Sequence, residues 1–147
     1  MKNSNRFPTK PDFSITILSQ TQLLKMVVEL TRHISTLFQV PVAEAHKISL
    51  AIDEAVTNVI KHSYANKSDR PLTIEYYVAP AGIRIRILYR GLPPDISEEE
   101  VNIGRMIKKK RKGGLGVKLM KTIMDSVTYR TEDGENCCEM IKWREAK

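Results

Sequence analysis

Ile48-Ser-Leu-Ala-Ile-Asp-Glu-Ala-Val-Thr-Asn-Val-Ile-Lys-His-Ser-Tyr64 carries the pattern that decides the fold. Ile48, Ile52, Ala55, Val56 and Val59 recur at three- and four-residue steps, which predicts one apolar stripe along a helix. Leu50 and Ile60 add apolar surface off that stripe, so this helix is expected to be covered on more than one side. Glu54, Asn58 and His62 are spaced by four and predict a polar line along one flank. A carboxylate, an amide and an imidazole on a mostly buried helix cost desolvation energy unless something meets them. A ligand or a metal ion would meet them. So would solvent or a neighbouring loop, since polar flanks are the ordinary state of helices.

Working outward, residues 13–18 alternate apolar and polar and read as a strand. Ser19 or Thr21 can cap a helix carrying Leu23, Leu24, Val27, Val28, Leu30, Ile34, Leu37 and Phe38, which Pro41 ends. The helix of the opening stretch runs over about 42–64. Residues 72–78 and 83–89 form an antiparallel hairpin around Pro80-Ala-Gly82. In its second strand Ile83, Ile85 and Ile87 share a face. Residues 96–112 are charged with weak periodicity and read as a mobile cover, with a short helical turn at 97–101. Gly113-Gly-Leu-Gly116 opens another helix with Leu119, Met120, Ile123, Met124 and Val127 inward. A second hairpin over 127–131 and 136–143 closes the chain. Hairpins plus helices predict an α+β fold, a two-layer α/β sandwich with helices on one face of a mixed, mostly antiparallel sheet.

The 147 residues suggest a single domain over 13–147, after a flexible N-terminal tail at 1–12. No apolar run reaches the roughly 20 residues of a membrane span, and the polar N-terminus has no signal-peptide core. A cytoplasmic location is expected. Cys137 and Cys138 are adjacent, too close for an unstrained disulfide, and read as residues of the last strand. The net charge of +7 comes largely from residues 105–112. The run Lys108-Lys-Lys-Arg-Lys112 has no interleaved aromatics, as a nucleic-acid contact normally would. Its place before the glycines favours a lid over phosphates, with an acidic protein partner and a nucleic-acid contact as competing readings.

Gly113-Gly-Leu-Gly116 lets the backbone approach an anion, and a helix N-terminus favours phosphate. No Gly-Lys-Ser/Thr follows, so this is not a Walker sequence. Glu54-Ala-Val-Thr-Asn58 with His62-Ser-Tyr64, joined to Gly113-Gly-Leu-Gly116 with Met124-Asp-Ser-Val127, resembles the ATP-binding domain of gyrase, heat-shock chaperones and sensor histidine kinases. The closer resemblance is to the bacterial anti-sigma-factor serine/threonine kinases, and it covers roughly residues 13–143. It implies the histidine-kinase-like ATPase (Bergerat) fold, with ATP and Mg²⁺ as cofactors. It implies Asn58 as the metal ligand and Glu54 as the catalytic general base. It implies phosphate contacts from the backbone of Gly114, Leu115 and Gly116. Further nucleotide contacts are implied at His62, Tyr89, Gly91, Lys112, Gly113 and Val117.

The implied partners are a sigma factor and an anti-anti-sigma-type antagonist phosphorylated on Ser or Thr, with room for a homodimer. No direct nucleic-acid or membrane partner is implied. One part departs from the family pattern. Aligned on Gly91, Tyr89 stands where the family has the Asp that reads the adenine amino group, and Pro93 replaces a further glycine. Asp95 matches a later acidic residue of some relatives. The alternative expectation is therefore a degenerate partner-switching module with weak or no ATP binding.

Overall fold

The computed structural model describes residues 6–93 and 117–144 together with the backbone of 112–116. The expected cover, its helical turn, Asp95 and the basic run up to residue 111 lie outside the described residues.

Strand β1 (Phe13–Leu18) leads into helices α1 (Thr21–Leu37) and α2 (Val42–Asn58), which continues into a π-helical turn (Val59–Ser63). Strands β2 (Pro71–Ala79) and β3 (Gly82–Tyr89) follow, then helix α3 (Lys112–Ile123) and strands β4 (Ser126–Glu132) and β5 (Glu135–Trp143). The sheet order is β1-β2-β3-β5-β4. The sequence pattern suggested a mixed sheet, but every pairing among the described residues is antiparallel. The reason is connectivity. Two tight hairpins reverse the chain, and the pair α1–α2 carries it down and back so that β2 returns beside β1. The β4–β5 turn places Asp133 at φ 52° and Gly134 at φ 79°, the left-handed pair that a two-residue hairpin requires.

Alternation then divides the sheet. Ile74, Tyr76, Ile83, Ile85, Ile87, Tyr89, Cys138 and Met140 point to one side, where they join Val27, Ile48, Ile52, Val56, Val117 and Met120 in a single buried core. Each such fully buried side chain contributes about 1.5–3 kcal/mol. Tyr76 and Thr31 knit α1 to the sheet. The Thr31 hydroxyl donates to the Val27 carbonyl at 2.8 Å and, its proton so used, accepts from the Tyr76 phenol at 2.7 Å.

Three expectations change. Ser19 does not cap α1, since the residue before the helix is Gln20, which makes no side-chain cap bond. The Ser19 hydroxyl donates instead to the Lys67 carbonyl and accepts from the Arg70 amide at 3.1 Å, pinning the loop before β2. The helix expected over 42–64 keeps α-helical geometry only to Asn58. Finally, the tail is not loose throughout. Phe7 is 6% exposed, stacked on Trp143 at 5.4 Å, with the Arg84 guanidinium 5.1 Å over its ring. Helices cover only one sheet face, and this N-terminal segment covers part of the other, where Tyr77 and Arg84 are buried.

Candidate functional site

The site is built where α2 gives way to the π turn. Glu54 and Asn58, one helical turn apart, are both half-buried. The Asn58 Nδ2 is sealed from solvent with no hydrogen-bond partner among the described residues. Leaving a buried amide unpaired costs about 1–3 kcal/mol, and native folds seldom carry that cost without a use for the group. His62, expected on the same line, falls in the π turn (Val59–Ser63). Across the π turn the Tyr64 amide donates to the Val59 carbonyl, five residues back, at 2.9 Å. His62, within that turn, is exposed.

The same turn delivers Ser63 and Tyr64 to the end of β3. Tyr64 is 4% exposed, and its hydroxyl donates to the Pro71 carbonyl at 2.5 Å and accepts from the Arg90 amide at 2.9 Å. The Ser63 carbonyl accepts from the Leu92 amide at 3.2 Å. Gly91 lies hard against this turn. A Cβ there would sit 2.7 Å from the Ser63 oxygen and 3.0 Å from the Tyr64 ring, which explains glycine at this position. Tyr89 is 3% exposed, a member of the core, and meets Tyr64 edge-on with centroids 6.3 Å apart. On the facing strand, buried Asn136 donates from Nδ2 to the Gly91 carbonyl at 3.1 Å and accepts from the Thr131 hydroxyl at 2.7 Å.

Burial pushes the Tyr64 phenol up, partly offset by the Arg90 amide and the nearby Arg70 and Arg90 charges. Burial also pushes Tyr89 far up, with Cys138 adding to the effect. Both phenols are protonated at neutral pH, so neither serves there as a base.

Helix α3 packs along α2. It begins at Lys112, so Gly113, Gly114, Leu115 and Gly116 form its first turn rather than a loop ahead of it. Val117 is fully buried, which leaves only its backbone for a ligand. Thus Tyr89 and Gly91 meet the π turn at Tyr64 and Ser63, while Asn58 and Glu54 lie on the helix leading into that turn and His62 is exposed. Sequence reasoning quoted Tyr64 within the motif but gave it no role, and it passed over Asn136 and Thr131. Only strand register reveals those two, since Tyr89 and Asn136 face each other across β3 and β5. No described helix is long and apolar enough to cross a membrane.

A sequence profile described as the histidine kinase-like ATPase domain matches residues 18–142. The chain is 29% identical over 92 residues to the serine-protein kinase RsbW of Listeria innocua, a match spanning 59% of this chain and 59% of that protein. It is 29% identical over 100 residues to the anti-sigma F factor of Clostridium beijerinckii, covering 67% and 70% of the two chains. The crystal structure of RsbU and RsbW domains from Mycobacterium tuberculosis superposes with a TM-score of 0.62 at 16% identity, over 95% of this chain and 34% of that one. At that identity the superposition speaks for the fold alone.

Proposed function

Because the chain belongs to the histidine kinase-like ATPase domain family, we propose that it is an ATP-dependent protein serine/threonine kinase and anti-sigma-type regulator that phosphorylates an antagonist protein. Relatives named serine-protein kinase and anti-sigma F factor support the reading. The observation that carries it is the pairing of Asn58 with the half-buried Glu54 one helical turn away: the Asn58 Nδ2 has no partner among the described residues, so nothing described ties this side chain to the fold and its amide oxygen is available as a ligand. An amide supplies an oxygen ligand suited to Mg²⁺, so the residues present fit a metal-bound nucleotide on its phosphate side. ATP with Mg²⁺ supplies the transferable phosphoryl group and neutralises its charge, and the protein's share is positioning. The Asn58 amide oxygen holds the metal. The Glu54 carboxylate takes the proton from the attacking serine or threonine hydroxyl. The first turn of α3, which holds three glycines, receives the phosphates, since the leading amides of a helix lack intrahelical partners. The partners are a sigma factor and its anti-anti-sigma-type antagonist, the setting is cytoplasmic, and a homodimer is the assembly in keeping with the family. The basic run before α3 serves the phosphates rather than nucleic acid.

Two substitutions test the assignment. Asn58→Ala should weaken ATP binding in Mg²⁺ far more than in EDTA, because the amide matters through the metal. Equal loss in both buffers removes it from that role. Glu54→Gln should leave nucleotide affinity nearly unchanged and lower phosphoryl transfer by roughly 100-fold or more. Undiminished transfer sinks the base assignment.

One observation favours a second reading. Tyr89, at the position where the family carries its adenine-binding Asp, is a buried core residue. A partner-switching module with weak or no ATP binding would tolerate that. Calorimetric titration with ATP, with and without Mg²⁺, separates the two readings.

A further inference from the structure

We propose that the sheet face opposite the helices is a docking surface for an acidic segment of a partner protein that presents an aromatic side chain, and that the chain's own arm, residues 6–11, keeps that segment's place. The surface lies across the sheet from Glu54 and Asn58 on α2, so its occupant is independent of nucleotide binding.

Alternation and register put Tyr77, Arg84, Arg86, Glu139 and Trp143 on this face. With Phe7 they build a continuous stack. Phe7 lies on Trp143 with ring centroids 5.4 Å apart, and the Arg84 guanidinium stands 5.1 Å over the Phe7 ring and 4.2 Å over the Tyr77 ring. Trp, Tyr and Arg are the residues that dominate the binding energy of protein interfaces, and here they stand side by side. Phe7 belongs to no strand, and it shows what the recess between Trp143 and Arg84 accepts, a flat apolar ring.

The arm fits that recess by its ring and by little else. Phe7 is buried, while Arg6, Pro8, Thr9 and Lys10 are exposed. The hydrogen bond from Arg84 Nη2 to the Pro8 carbonyl is long, at 3.4 Å, and firm backbone pairing starts at Asp12, whose amide donates to the Tyr76 carbonyl at 2.9 Å. The arm's charge is also wrong for the place. The chain before Asp12 carries Lys2, Arg6 and Lys10 and no acidic residue, so it lays cations over Arg84. Arg84 is 7% exposed, and a guanidinium withdrawn from water is held best by a carboxylate. The adjoining row, Glu75-Arg86-Glu139, keeps its carboxylates for itself. Glu139 accepts from Arg86 at 2.7 Å, and Glu75 accepts from the Tyr77 hydroxyl at 2.9 Å. An acidic segment with a ring at the place of Phe7 supplies what the arm lacks.

The test titrates the full chain with the synthetic peptide Asp-Glu-Phe-Pro-Glu-Asp and follows the fluorescence of Trp143, the only tryptophan. In the wild type the tethered arm competes. Phe7→Ala empties the recess, so the folded variant should bind the peptide at least about tenfold more tightly than wild type. Replacing the peptide's Phe by Ala, or its acids by Lys, should weaken binding by about tenfold or more. Arg6→Glu together with Lys10→Glu supplies a second measurement that needs no peptide and alters exposed side chains alone. An arm of the right charge should seat more firmly and lower the quenching of Trp143 by acrylamide. The absence of saturable binding to folded Phe7→Ala overturns the proposal, as does equal binding of the basic peptide. Unchanged or increased quenching in the charge-reversed arm overturns it too. Self-association of Phe7→Ala without peptide, seen on sizing chromatography, assigns the face to a second copy of this chain and overturns the acidic partner.

Discussion

Replacing Tyr64 with Phe isolates the hydroxyl that ties the π turn to both ends of the β2–β3 hairpin. The ring and its edge-on contact with Tyr89 remain, so packing changes little. What disappears is the bond donated to the Pro71 carbonyl at 2.5 Å and the bond accepted from the Arg90 amide at 2.9 Å. Pro71 and Arg90 are themselves exposed residues, so water can reach their backbone groups once the phenol is gone. The loss is then the net worth of two hydrogen bonds, about 2 kcal/mol together, rather than the larger cost of stranding buried groups. That is a fall of about 30-fold in the folding constant and, for a chain of this length, a drop of roughly 4–8 °C in Tm. Urea unfolding monitored by circular dichroism gives the first number and a thermal melt the second. Amide exchange at Arg90 should quicken in the same variant. A midpoint shift equivalent to less than about 0.5 kcal/mol, the low end for a single bond, would refute the reasoning, as would unchanged protection of the Arg90 amide.

Alkaline pH should unfold the chain through its buried phenols. Burial pushes Tyr76 up to about 12 against an ordinary 10, so stability is fully present below pH 10 and is lost as pH rises toward 12. The two-unit shift corresponds to about 2–3 kcal/mol; Tyr76→Phe should flatten that part of the stability profile, and a profile as steep as wild type would remove Tyr76 as its source. At the opposite sheet face, Phe7→Ala should uncover the only tryptophan, Trp143, and shift its fluorescence to the red, with a stability loss of about 1–3 kcal/mol, below the usual Phe→Ala range because water can fill the gap. Unchanged emission would mean that Phe7 does not cover Trp143 in solution.

Reading by periodicity succeeded where the signal was local. The apolar steps through Ile48, Ile52 and Val56 place that stripe in the core. The alternation of Ile83, Ile85 and Ile87 likewise gives the buried side of β3. Periodicity left open whether the polar flank meets a ligand or solvent, and His62 is exposed. The reading failed at Phe7, because a polar tail with one aromatic residue looks unanchored until Trp143 and Arg84 are brought beneath it.

The sequence by itself determined the element types, the α+β architecture and, through the Glu54-to-Asn58 box and the glycine box, the family. Those properties reside in short stretches of chain, where side-chain order translates directly into which face is apolar. Only the tertiary structure decided which polar groups are free to act. Tyr64 meets Arg90, Gly91 meets Asn136, and the Asn58 Nδ2 has no partner among the described residues. The two contacts join residues 26 and 45 positions apart. They depend on strand order and register, and register is set by the fit of the whole core rather than by any segment that contributes to it.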